Sequence, residues 1–149
     1  SYHIIYNETL RDRVCAVSNK THYNEMNVLS MHALIGAYQP QGYEWVDELN
    51  QVLAGNIEYF CNYVDEHFEG VSYSRPQGTY MVFLDCTEWC REHGRDIQWL
   101  LDEGARVGVG YQDGRPFHGP CHIRVNLALP LSRVREACDR LDRYVFNAR

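Results

Sequence analysis

Arg124 stands in the middle of an otherwise apolar run, Ile123-Arg124-Val125-Asn126-Leu127-Ala128-Leu129-Pro130. Alternate side chains on a strand point to opposite faces. Ile123, Val125, Leu127 and Leu129 therefore share one face, and His122, Arg124 and Asn126 share the other. A guanidinium mounted on a strand is a rigidly held fork, and its paired N–H donors match a carboxylate or a phosphate. The plainer reading is an arginine on the wet face of a half-buried strand, which calls for no ligand.

Few other residues offer chemistry. Of the fourteen basic residues only Lys20 is a lysine, and it sits in the polar run Ser18-Asn19-Lys20-Thr21-His22. Any chemistry that needs a lysine amine has that one candidate within this chain. Six cysteines (Cys15, Cys61, Cys86, Cys90, Cys121 and Cys138) are scattered along the chain. That pattern suits a reduced, cytosolic protein better than a disulfide scaffold. Cys86 with Cys90, or His118 with Cys121 and His122, could be drawn as a metal site, but no paired C-x-x-C spacing supports one. Sequence neighbours such as Cys121 and His122 rarely have the geometry of a nucleophile and its base. Asp85 ends a strand just before Thr87, a position where aspartate usually makes turn contacts. Gly108-x-Gly110 has no following helix N-terminus to hold a phosphate. Glu44, Asp47 and Glu48 belong to a solvated helix face. The residues thus supply one anion-binding candidate and no complete catalytic set.

The elements that must position Arg124 can be read from periodicity and punctuation. Tyr2-His3-Ile4-Ile5-Tyr6 predicts a strand, and Asn7 caps a helix over about Glu8 to Ser18. Ser18 to Glu25 reads as a loop. Asn27 caps an apolar helix, Val28 to Tyr38, which Pro40 and Gly42 interrupt. From about Tyr43 to Glu69, Trp45, Leu49, Val52, Leu53, Ile57, Phe60, Val64 and Phe68 recur at three- and four-residue steps. They predict one long amphipathic helix, closed by Gly70. Val71 to Ser74 and Thr79 to Asp85 are strand-like, joined by Arg75-Pro76-Gln77-Gly78. A short helix over Thr87 to His93 ends at Gly94, and Asp96 caps another over Ile97 to Ala105. Arg106 to Val109 reads as a strand and Gly108 to Pro120 as a structured loop. The Arg124 strand follows, and then a helix capped by Ser132, with Val134, Ala137, Cys138, Leu141 and Val145 inward.

This order predicts an α+β unit over 43–149: a small, mostly antiparallel sheet packed by a long helix, a middle helix and a C-terminal helix. Residues 1–42 read as a remnant of something larger, because a lone strand and helix cannot bury their own faces. With 149 residues and 13% aromatics, the chain has ample material for a core. It contains no apolar run long enough to cross a bilayer and no signal-peptide pattern. The net charge of −6, with charges interspersed, argues against nucleic-acid binding through a basic patch.

Three segments together resemble the C-terminal part of fold-type I pyridoxal-phosphate enzymes. The likeness is to the class I/II aminotransferases, in particular their cystathionine β-lyase or C–S lyase branch. The segments are Ala37-Tyr38 with Gly42-Tyr43-Glu44-Trp45-Val46-Asp47-Glu48-Leu49, then Pro76-Gln77-Gly78-Thr79-Tyr80-Met81-Val82-Phe83-Leu84-Asp85, then the Arg124 strand. The resemblance implies that Arg124 binds the α-carboxylate of an amino-acid substrate, and that Gly78 and Tyr80 are structural. It implies pyridoxal phosphate in a longer parent enzyme, with the Schiff-base lysine upstream of Ser1 and no cofactor bound by this chain alone. The parent would be a homodimer that transaminates or eliminates a β-thiol. Two other readings stay open: a non-catalytic carboxylate-binding module built on Arg124, and an interaction domain pairing through the Tyr2–Asn7 strand.

Overall fold

The computed structural model describes residues 3–22 and 25–148. The chain divides into two units, Ser1–Val46 and Asp47–Arg149. In the first, Asn7 accepts a hydrogen bond from the Leu10 amide at 2.9 Å and starts α1 (Glu8–Thr21). Asn27 caps α2 (Val28–Ala37) in the same way through the Ser30 amide. Neither helix buries a single residue.

The expected strand at the start of the chain does not form over residues 3–6, and Tyr2 lies outside the described residues. No strand is present among the described residues of this unit to pair with it. The loop expected from Ser18 is also corrected, since α1 continues to Thr21. Polar Asn19, Lys20 and Thr21 are tolerated there because they are exposed on the helix. It ends at His22 in the left-handed region, φ 52°. Tyr23 and Asn24, in the remainder of that expected loop, lie outside the described residues.

The long helix α3 runs Pro40–His67 and so begins three residues before the expected Tyr43. Pro40 is its first residue, where a missing N–H costs nothing and a fixed φ favours the helix. The Pro–Gly interruption therefore opens the helix. Only the C-terminal half of its apolar stripe is buried, at Asn56, Phe60, Cys61 and Val64; Trp45 is 62% exposed.

Four antiparallel strands follow: β1 (Ser72–Tyr73), β2 (Met81–Asp85), β3 (Gln112–Asp113) and β4 (His122–Asn126), in the order β1-β2-β4-β3. The helices between them are α4 (Thr87–His93) and α5 (Ile97–Arg106). Asp96 caps α5 through the Trp99 amide at 2.8 Å. The expected strand over Arg106 to Val109 is absent. Those residues finish α5 and turn at Gly108, and the edge strand is the later Gln112–Asp113. Helix α6 (Leu131–Leu141) starts directly after Pro130, so Ser132 lies in its first turn and is not its cap. A π-helical turn, Asp142–Phe146, ends the fold.

On one face of the sheet the two central strands are buried. Val82 and Leu84 of β2 and Ile123 and Val125 of β4 join Phe60, Leu100, Val134 and Leu141 in a single core. Asn56 is the polar member of this interior. Its amide donates to the carbonyls of Leu127 and Leu129, at 2.9 and 2.8 Å, and so ties the end of β4 to α3. The opposite face of the sheet is half-exposed and carries Arg124.

Candidate functional site

Strand β4 is interior, so Arg124 has a strand on each side: it stands opposite Phe83 on β2 and Gln112 on β3. The next rung on the same face is His122 opposite Asp85, and the rung on the other side is Asn126 opposite Met81. Successive rungs are about 7 Å apart, twice the rise of a strand residue. Ladder hydrogen bonds on both sides fix the backbone beneath Arg124, so its fork starts from a rigid base.

The loop before β4 folds back onto this face. The Gly114 amide donates to the His122 carbonyl at 2.8 Å, and the Phe117 and Gly119 amides donate to the Gly114 carbonyl at 2.9 and 3.1 Å. One 3₁₀ turn, Arg115–Phe117, spans the gap and closes at His118 with φ 62°. The approach is too close for a side chain at either glycine. A Cβ on Gly114 would lie 2.4 Å from the His122 carbonyl oxygen, and one on Gly119 would lie 2.5 Å from Cζ of Phe83. The Arg115 side chain is anchored to both oxygens of Asp113, at 2.9 and 2.8 Å, and to Gln98. Hydrogen bonds from Arg115 hold the Asp113 carboxyl below the usual carboxylate range.

The result is a cation–π pair, with the Arg124 guanidinium carbon over the Phe117 ring and 3.9 Å from its centre. Among the described residues the guanidinium has neither an ion-pair partner nor a side-chain hydrogen bond. Stacking occupies the plane of a guanidinium and leaves its in-plane donors available. Phe117 was not singled out in the sequence. The signal that could have found it is an aromatic residue held between two glycines just ahead of the strand that carries the anion-binding candidate.

The neighbouring residues are structurally engaged. Burial opposes ionisation of Asp85, but hydrogen bonds from the Thr87 hydroxyl and amide, with His122 nearby, hold its carboxyl below its ordinary range. This is the turn contact expected of it. His122 Nε2 lies 3.8 Å from Asp85 Oδ2, its ring packs on Phe83, and its buried Nδ1 has no hydrogen-bond partner. Burial drives the Cys86 thiol well above its ordinary range and, with Cys121 beside it, pushes Cys90 up to about 12. Such thiols stay protonated and are poor nucleophiles. Among the described residues, no group of three or more His, Cys, Asp or Glu is placed to hold a metal ion. Gly108 and Gly110 line a cleft of about 350 Å³ together with Phe60, Val125, Leu127 and Leu141.

Lys20 lies exposed in the last turn of α1. The described residues do not fit pyridoxal phosphate by themselves. What they form is a guanidinium fork on a rigid strand, set over an aromatic ring.

The fold around this fork is shared with enzymes that do hold that cofactor. The chain superposes on the pyridoxal-phosphate-bound C–S lyase of Staphylococcus hominis with a TM-score of 0.78 at 24% identity, covering 93% of this chain and 36% of that one. Cystalysin of Treponema denticola, which contains pyridoxal 5′-phosphate, gives a TM-score of 0.80 at 22% identity, over 93% and 35% of the two chains. In sequence, the chain is 34% identical over 124 residues to a Mycobacterium leprae protein that carries the provisional name cystathionine beta-lyase. That match covers 72% of this chain and 30% of the relative. A Mycobacterium tuberculosis protein with the same provisional name is 32% identical over 128 residues. No protein-family model matches the chain. The chain thus has the C-terminal α+β fold of fold-type I pyridoxal-phosphate enzymes, and it spans about 30% of the length of the curated relatives it matches.

Proposed function

We propose that this chain is the carboxylate-gripping part of a pyridoxal-phosphate enzyme that acts on an amino acid by transamination or C–S β-elimination. Arg124 would take the substrate α-carboxylate. The carrying observation is its guanidinium: mounted on an interior strand, set over an aromatic ring and free of any acidic partner among the described residues. A bidentate grip on the carboxylate fixes the orientation of the substrate Cα and lowers the entropy cost of reaching a reactive geometry. The cofactor, where bound, supplies an electron sink for charge that develops at that carbon. The Schiff-base lysine belongs upstream of Ser1 in this reading, consistent with the exposure of Lys20 and with the share of the relatives that the chain spans. The enzyme would be a homodimer. The six free cysteines of this chain suit the reducing cytoplasm.

The test is Arg124→Ala in the full-length, pyridoxal-phosphate-loaded enzyme. Hydrogen bonds to a charged group are worth about 1.5–3 kcal/mol, so KM for the amino acid should rise roughly 10- to 150-fold. Arg124→Lys keeps the charge but loses the fork and should fall between. An unchanged KM in Arg124→Ala would overturn the assignment.

A further inference from the structure

The contact between Phe117 and Arg124 goes one step beyond the carboxylate grip and rests on that reading. We propose that Phe117 is a positioning residue: its ring holds the Arg124 guanidinium in the plane that presents both N–H donors to a substrate carboxylate. A free arginine on a strand has several rotatable bonds and sweeps a wide volume, and ordering it on binding costs entropy. The ring 3.9 Å away removes part of that cost beforehand. A guanidinium laid flat on a ring keeps its in-plane N–H donors free, so such a contact does not compete for them.

The loop is built to hold the ring there. Its backbone hydrogen bonds run between Gly114, Phe117, Gly119 and His122, and so close on β4, the strand that bears Arg124. Gly114 and Gly119 allow a spacing that a methyl group would prevent. Arg115, next but one to Phe117, is tied down through Asp113 and Gln98. Phe117 itself remains 47% exposed, so packing into a core does not explain its place.

Two readouts test this. In the 149-residue chain labelled with ¹⁵N-arginine, the Nε–H resonance of Arg124 should be shifted upfield by the ring. Phe117→Leu should abolish that shift, and Phe117→Trp should retain it. In the full-length holoenzyme, Phe117→Leu should raise KM for the amino acid about two- to five-fold, the range expected from an exposed cation–π contact, with the loss in KM and not in kcat. Phe117→Trp and Phe117→Tyr should restore KM, which a role in apolar packing alone would not require. An unshifted Arg124 resonance in the parent chain, or a Phe117→Leu enzyme with the parental KM, would overturn the proposal. Arg124→Lys separates the two levels: if it leaves KM unaltered, the carboxylate grip itself is wrong. If it raises KM while Phe117→Leu does not, only the positioning role fails.

Discussion

The two units of this chain use the same helical grammar to different effect. In Ser1–Val46, α1 and α2 have good asparagine caps and ample apolar side chains, yet neither buries a residue; Leu29 is 82% exposed. In Asp47–Arg149, residues of the same types on α3, α5 and α6 close over a sheet, and Leu84, Leu100 and Ile123 are fully buried. Helices of 14 and 10 residues are marginal in water without tertiary packing. The comparison teaches that caps and composition specify where a helix starts and stops, whereas burial decides whether it contributes to cooperative stability.

The largest effect that could break this contrast comes from truncating one leucine in each unit. Leu84→Ala removes a fully buried side chain from the middle of the sheet and should cost about 2–5 kcal/mol. Leu29→Ala on α2 should change the unfolding free energy of the same chain by less than about 0.5 kcal/mol. Urea denaturation followed by tryptophan fluorescence measures both, since Trp89 and Trp99 report on the second unit. Equal losses in the two variants would mean that α2 shares the cooperative core.

A smaller effect separates two asparagines. Asn56 is 1% exposed and satisfies two strand-end carbonyls, so Asn56→Ala leaves the buried Leu127 carbonyl unpaired and the part-buried Leu129 carbonyl to water, and should cost about 1–3 kcal/mol. Asn27 makes one exposed capping bond at the start of α2. Asn27→Ala should lower helical circular dichroism slightly while leaving the main urea midpoint in place. A midpoint shift in Asn27→Ala as large as that in Asn56→Ala would erase the distinction.

Much of this was legible in the sequence, for physical reasons that differ by element. The helix over Thr87 to His93 and the one capped by Asp96 follow from short-range signals, a left-handed glycine and an Asx cap, and these act within a few residues. The face of Arg124 follows from the period of two alone. The start of α3 differs from the expected Tyr43 because Pro40 is equally consistent with an ending and a beginning, and only its position relative to the following turn decides. The Arg106 to Val109 strand was misread because an edge strand of two residues is defined by its partner, Gln112 against Arg124, and not by its own composition. Phe117 over Arg124 and Asn56 under Leu127 are contacts across 7 and 71 positions, and periodicity holds no record of either.

The smallest effect concerns acid. Asp85 lies on the site face, and its carboxyl is held below the ordinary value of 3.8 by the Thr87 hydroxyl and amide and by nearby His122, against the opposing effect of burial. A carboxyl with a depressed folded pKa binds fewer protons folded than unfolded. Its contribution is therefore complete above 3.8 and is lost as pH falls through the lower folded value. Solvent screens a side chain that is 39% exposed, so the contribution is less than about 1 kcal/mol. Asp85→Asn should accordingly lower the urea midpoint of the second unit at pH 6, and the gap from the parent chain should narrow as the pH is taken towards 3. A gap that stays constant across that range would assign the cost to lost hydrogen-bond geometry at Thr87 and remove charge from the account. A gap that widens towards acid would reverse the sign of the linkage and with it the direction of the Asp85 shift.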